Sequence, residues 1–154
     1  MKELTHVDSE NQIIALLKSN FQLRISNFLD LLTSALHDRF PHYTGVYLYL
    51  LEGDTLILSN FRGRPTEHTR IQIGAGICGR AARVKETVVV DDVARDAAYI
   101  ACSVETRSEI VVPIMRGARV LGEIDIDSDV PAVFSADDRR FLEEVARLIE
   151  PRFP

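Results

Sequence analysis

Residues 44–61, TGVYLYLLEGDTLILSNF, place two runs of β-branched, aromatic and leucine side chains on either side of Glu52-Gly53-Asp54. Such runs around a glycine that can take positive φ predict a β-hairpin. Working outward, further strands are expected at 70–73, 87–90, 109–115 and 119–127, the last two joined by RGA. Upstream, Ser9 and Gln12 have capping-box spacing, and apolar residues recur at helical intervals until Pro41. Residues 9–40 are therefore expected to form one long helix or two in tandem. Downstream, Ser135 and Asp138 cap a closing helix that presents Phe141, Leu142, Val145, Leu148 and Ile149 on one face. Residues 74–86 suggest a turn and short helix, and 91–108 a mostly irregular connection. The fold class is α+β, an antiparallel sheet with helices packed on one face. It divides as terminal helices (1–40), sheet and site loops (44–130) and a C-terminal helix (135–150).

A length of 154 residues at 46% hydrophobic content suits a single domain with one proper core. A net charge of −5 and a pI near 5.4 argue against a basic surface for nucleic acid. The opening MKELTHVDSENQ lacks the apolar stretch of a secretory signal, and no apolar run reaches membrane-spanning length, so a cytoplasmic location is expected. There, two cysteines are either buried small residues or working thiols.

The chemistry-bearing residues cluster in the second half. GAGICG, residues 74–79, contains G-x-G-x-x-G, but no long helix follows and Asp91 and Asp92 come too soon for a ribose-binding acid. The glycines either shape a tight turn or position Cys78. Cys102 lies in the irregular connection, with Glu105 and Glu109 three and seven residues on. GEIDIDSD, residues 122–129, alternates so that Glu123, Asp125 and Asp127 share one strand face. That face is a solvated sheet edge, a cation site or the acid wall of a thiol redox centre. The four histidines show no ligand spacing to either cysteine, so no metal is expected.

The order of elements, with GAGICG, VVVDDV and SEIVVPI, resembles a GAF domain. More narrowly, GICG, DV, IAC, ETRSEIVVPI and IDIDS are similar to the free methionine-(R)-sulfoxide reductase subfamily. That resemblance implies a thioredoxin-dependent enzyme with no bound cofactor, acting as a homodimer. By position, Cys102 corresponds to the nucleophile and Cys78 to the glycine-loop cysteine, a disulfide forming between them. Glu109 and Asp127 correspond to catalytic acids, and Asp125, Tyr43, Asp92 and Glu105 to substrate-binding positions. Where many members have a further cysteine, this chain has RPTEHTR, residues 64–70, and Tyr43 replaces a pocket tryptophan. A non-catalytic sensory module binding a small ligand is the alternative reading.

Overall fold

The computed structural model describes residues 5–97, 99 and 104–154. Helix α1 spans His6–Ser19 and α2 spans Ile25–Arg39. The strands are β1 (Gly45–Glu52), β2 (Thr55–Arg62), β3 (Arg70–Gln72), β4 (Val88–Val90), β5 (Ser108–Arg116) and β6 (Arg119–Ser128). Helix α3 (Gly76–Val84) separates β3 from β4, and α4 (Ala136–Ile149) follows β6.

All strands pair antiparallel in the order β3-β2-β1-β6-β5-β4. Both hairpins occur as expected. Gly53 turns β1 into β2 at φ +63°, and Gly117 turns β5 into β6 at φ +60°. The N-terminal helices are two in tandem, but α1 begins earlier than the sequence suggests. Thr5 and Asp8 form its capping box, while Ser9 is already inside the helix and buried. The box at Ser135 and Asp138 forms as read. Either box satisfies N–H groups that the first helical turn leaves unpaired.

Helices α2 and α4 pack on one sheet face, with α1 against α2. There Phe28, Leu32, Leu36, Phe141, Leu142 and Val145 meet Val46, Leu48, Ile110, Val112, Ile124 and Ile126. Each such side chain contributes about 1.5–3 kcal/mol by leaving water. The opposite face is covered by α3, whose Ile77, Cys78, Ala81 and Ala82 pack with Tyr47, Tyr49, Leu56 and Val111. The chemistry sits in this second layer.

Candidate functional site

Strand β6 runs between β1 and β5, so it has no free edge. Its alternation sends Ile124 and Ile126 into the helical core and Glu123, Asp125 and Asp127 to the α3 side. Because α3 packs over that side, the acids are buried, at 0%, 4% and 6% exposure. This rules out the solvated-edge reading. Register adds the fourth acid, since Glu109 on β5 is paired with Asp127. Glu109 is also buried.

The glycine loop brings the sulfur to the acids. Gly74 takes φ +93° and Gly76 φ +63°, and Gly74 N–H donates to the Gly79 carbonyl at 2.8 Å. A Cβ on Gly79 would stand 2.4 Å from the Gln72 carbonyl oxygen, so α3 meets the end of β3 backbone to backbone. The loop is a spacer and not a phosphate cradle. Two residues into α3, the buried Cys78 thiol donates to Asp125 Oδ2 at 3.3 Å and lies 3.9 Å from Glu109 Oε1.

Burial governs the protonation of this cluster. Desolvation, then the neighbouring Asp125, pushes the Glu109 carboxyl well above the usual carboxylate range. Desolvation, then Asp127, raises Asp125 to about 8. Glu123 and Asp127 are raised in the same way, each by burial first and Glu109 second, although the Arg64 guanidinium partly offsets the rise at Asp127. The Cys78 thiol is also pushed up, by burial and then by Asp125. At neutral pH Asp125 and the thiol therefore keep their protons, and burial biases the other three acids the same way. Asp125 accepts from both Glu109 and Cys78. Among the described residues neither oxygen of Glu123 has a partner in hydrogen-bond geometry, although the Cys78 thiol and the Ala82 N–H approach it.

Of the residues singled out by sequence, the fold brings together Cys78, Glu109, Asp125 and Asp127. Cys102 lies outside the described residues. Three others are placed elsewhere. Tyr43 belongs to the helix-side core, and its hydroxyl donates to Asp138 Oδ1 at 2.6 Å. Asp92 caps the short 3-10 turn Val93–Arg95, accepting from Ala94 N–H and pairing with Arg95. Glu105 is exposed, on the side of Arg64.

The aromatic wall comes instead from Tyr49 and Tyr99. Together with His68, Ile71 and the start of α3, they enclose a cavity of about 30 Å³ over Cys78, Glu109 and Asp125. Tyr49 was legible in principle, because Tyr47 and Tyr49 alternate with Val46 and Leu48 and pair with Asp125 and Glu123. His68 carried no such signal. A wider cleft of about 450 Å³, between β5 and α4, shares no residue with this cavity.

The arrangement offers proton donors, a proton acceptor and a thiol in a site shielded from water. The Cys78 sulfur, a Glu109 oxygen and an Asp125 oxygen also lie within 4.8 Å of one another, a donor set that a thiophilic cation could use. No helix among the described residues is long and apolar enough to cross a membrane.

Residues 22–151 match the family model described as a GAF domain. The chain is 35% identical over 119 residues to a free methionine-R-sulfoxide reductase of Escherichia coli, covering 77% of this chain and 72% of that protein. A protein of the same name from Saccharomyces cerevisiae is 48% identical over 99 residues; the match covers 64% of this chain and 54%, about half, of the yeast protein. The free methionine-R-sulfoxide reductase of Neisseria meningitidis, solved in complex with its substrate, superposes with a TM-score of 0.87 at 35% identity, covering 96% of this chain and 87% of that one.

Proposed function

Because this chain belongs to the GAF-domain family, we propose that it reduces free L-methionine-(R)-sulfoxide, or a close analogue, to methionine. The observation that carries this reading is the buried layer of Cys78, Glu109 and Asp125, set in a fold like that of the N. meningitidis enzyme solved with its substrate.

In this reading Cys102 supplies the nucleophile. Its thiolate attacks the sulfoxide sulfur while a neutral carboxyl, best supplied by Glu109, gives its proton to the sulfoxide oxygen. The S–O bond breaks as oxygen passes to the Cys102 sulfur; methionine leaves and Cys102 is left as the sulfenic acid. Cys78 then attacks the Cys102 sulfur, releasing water and forming a disulfide. Glu109, left ionised by the first step, takes the Cys78 proton as the sulfur attacks, through Asp125, which accepts from the thiol. A dithiol donor, thioredoxin, reopens the bond by exchange, so two electrons and two protons balance each oxygen removed as water. The remaining acids suit the substrate's ammonium, with Tyr49 and Tyr99 beside its side chain. A homodimer in the cytoplasm belongs to the same reading.

The test is a coupled assay of the reduced protein with free methionine-(R)-sulfoxide, thioredoxin, thioredoxin reductase and NADPH. Wild type should consume NADPH in step with sulfoxide, and Cys102→Ser should not. Equal rates in the two proteins, or none in wild type, would overturn the assignment.

A further inference from the structure

The layer under α3 concentrates carboxyl groups, and among the described residues a cation, Arg64, offsets Asp127 but not the other three. Glu109, Glu123 and Asp125 are all at least nine-tenths buried, and the influences on their ionisation include no Lys, Arg or His. Both oxygens of Glu123 and Oδ1 of Asp125 lack hydrogen-bond partners among the described residues. Unpartnered buried carboxyl oxygens are uncommon, and each calls for an explanation. Protons compensate the charge in the free protein. A divalent cation could do the same.

The distances select which cation. A zinc ion holding sulfur at about 2.3 Å and oxygen at about 2.1 Å, at a tetrahedral angle, sets sulfur and oxygen about 3.6 Å apart. The Cys78 sulfur lies 3.3 Å from Asp125 Oδ2 and 3.9 Å from Glu109 Oε1, values either side of that requirement. All three ligand atoms fall within 4.8 Å of one another. Their backbones are held independently by α3, β5 and β6, so side-chain adjustment of a few tenths of an ångström completes the set. The adjoining cavity of about 30 Å³ has room for a single water-sized ligand in a fourth position. Magnesium and calcium prefer six or more oxygen ligands and have little use for a thiolate.

We propose that Cys78, Glu109 and Asp125 form a binding site for one zinc ion, a thiophilic divalent cation that competes with the substrate for the same groups. Binding exchanges protons for the metal and leaves a Zn–S bond at Cys78, with no change of oxidation state. The thiol is then unable to resolve a sulfenic acid, and the acids are unable to engage an ammonium or sulfoxide. The inhibitory consequence rests on the reductase reading above; the metal site does not.

The test uses fully reduced Cys102→Ser protein, which keeps the second thiol out of the measurement. Calorimetric titration with zinc chloride should give one ion per chain. In that background Cys78→Ser, Glu109→Gln and Asp125→Asn should each weaken binding by more than about 100-fold, beyond the loss seen when a group supporting a ligand is removed. Circular dichroism and thermal unfolding establish that each variant is folded. Cobalt in place of zinc should give a thiolate-to-metal charge-transfer band that vanishes in Cys78→Ser. No binding at tens of micromolar zinc, or undiminished binding in Cys78→Ser, overturns the site. In wild type, one equivalent of zinc should stop sulfoxide turnover and a chelator should restore it. Turnover unaffected by bound zinc overturns the competition. Cys78-dependent zinc binding in a protein with no turnover even after chelation refutes the reductase reading while leaving the metal site standing.

Discussion

The Cys78 thiol donates to Asp125 Oδ2 across 3.3 Å, linking the first turn of α3 to a strand in the middle of the sheet. Neither group gains from burial alone, since desolvation is the leading influence raising both pKa values. They are held together by the apolar contacts of α3, and their protonation follows from that placement.

Stability should fall with rising pH. Asp125 keeps its proton up to about pH 8 in the folded protein, whereas in the unfolded chain it loses it near the ordinary aspartate value of 3.8. Between those values the folded state binds the extra proton, so its contribution is full below the lower one, shrinks as pH rises and is gone above about 8. The slope is about 1.4 kcal/mol per pH unit for one such group, and Glu109, Glu123 and Asp127 act in the same direction. Asp138, held low by His42 and Tyr43 against its own desolvation, contributes oppositely, and its share is lost only below the ordinary aspartate range. Thermal unfolding at pH 6 and pH 9 should show a lower midpoint at pH 9. Asp125→Asn should flatten the dependence; an unchanged slope would show that Asp125 ionises normally.

Substrate binding should release protons. An amino acid's ammonium placed among neutral carboxyls favours their ionised form. Titrations with free methionine sulfoxide at pH 7 in buffers of different ionisation enthalpy should report net proton release. Asp125→Asn should reduce it. Net proton uptake in wild type would contradict the protonation pattern described for Glu109 and Asp125.

Tyr43→Phe should leave substrate affinity unchanged, because the side chain lies on the helix side of the sheet, bonded to Asp138. It should destabilise the fold by about 1–2 kcal/mol through loss of that hydrogen bond to a charged partner. Chemical denaturation and a binding titration on the same sample separate the two effects. A large drop in affinity with stability intact would return Tyr43 to the pocket.

Gly79→Ala adds a methyl group 2.4 Å from the Gln72 carbonyl oxygen and 2.9 Å from Gly74 N, both backbone atoms. A loss of about 3 kcal/mol is expected, at the upper end of overpacking effects. Alkylation of Cys78 under native conditions should accelerate as α3 lifts from the sheet. Wild-type stability with unchanged alkylation would mean that the helix docks otherwise.

Much of this architecture was legible because it depends on short-range rules. The hairpin at Gly53, the hairpin at Gly117 and the cap at Ser135 each follow from residues within a few positions of one another. The α1 start was misplaced because Thr5-Asp8 and Ser9-Gln12 both have capping spacing, and pattern alone does not rank overlapping boxes. Alternation gave the shared face of Glu123, Asp125 and Asp127 but not its burial, which is decided by α3, whose Cys78 is 47 residues from Asp125 in sequence. The placement of Tyr43 was not legible for a related reason. It precedes β1, so the pleat that fixes Tyr47 and Tyr49 does not extend to it.

The opposite destinations of Ile126 and Asp127 also bear on how the chain assembles. A shift of β6 by one residue would exchange every side chain between the two faces. Three carboxyls would enter the layer now filled by Phe28, Leu36 and Phe141, and two isoleucines would face the thiol. Such a mispaired hairpin would bury its acids among apolar side chains without hydrogen-bond partners, at a cost in stability. The same carboxyls that crowd Cys78 thus proofread the alignment of the strand that carries them.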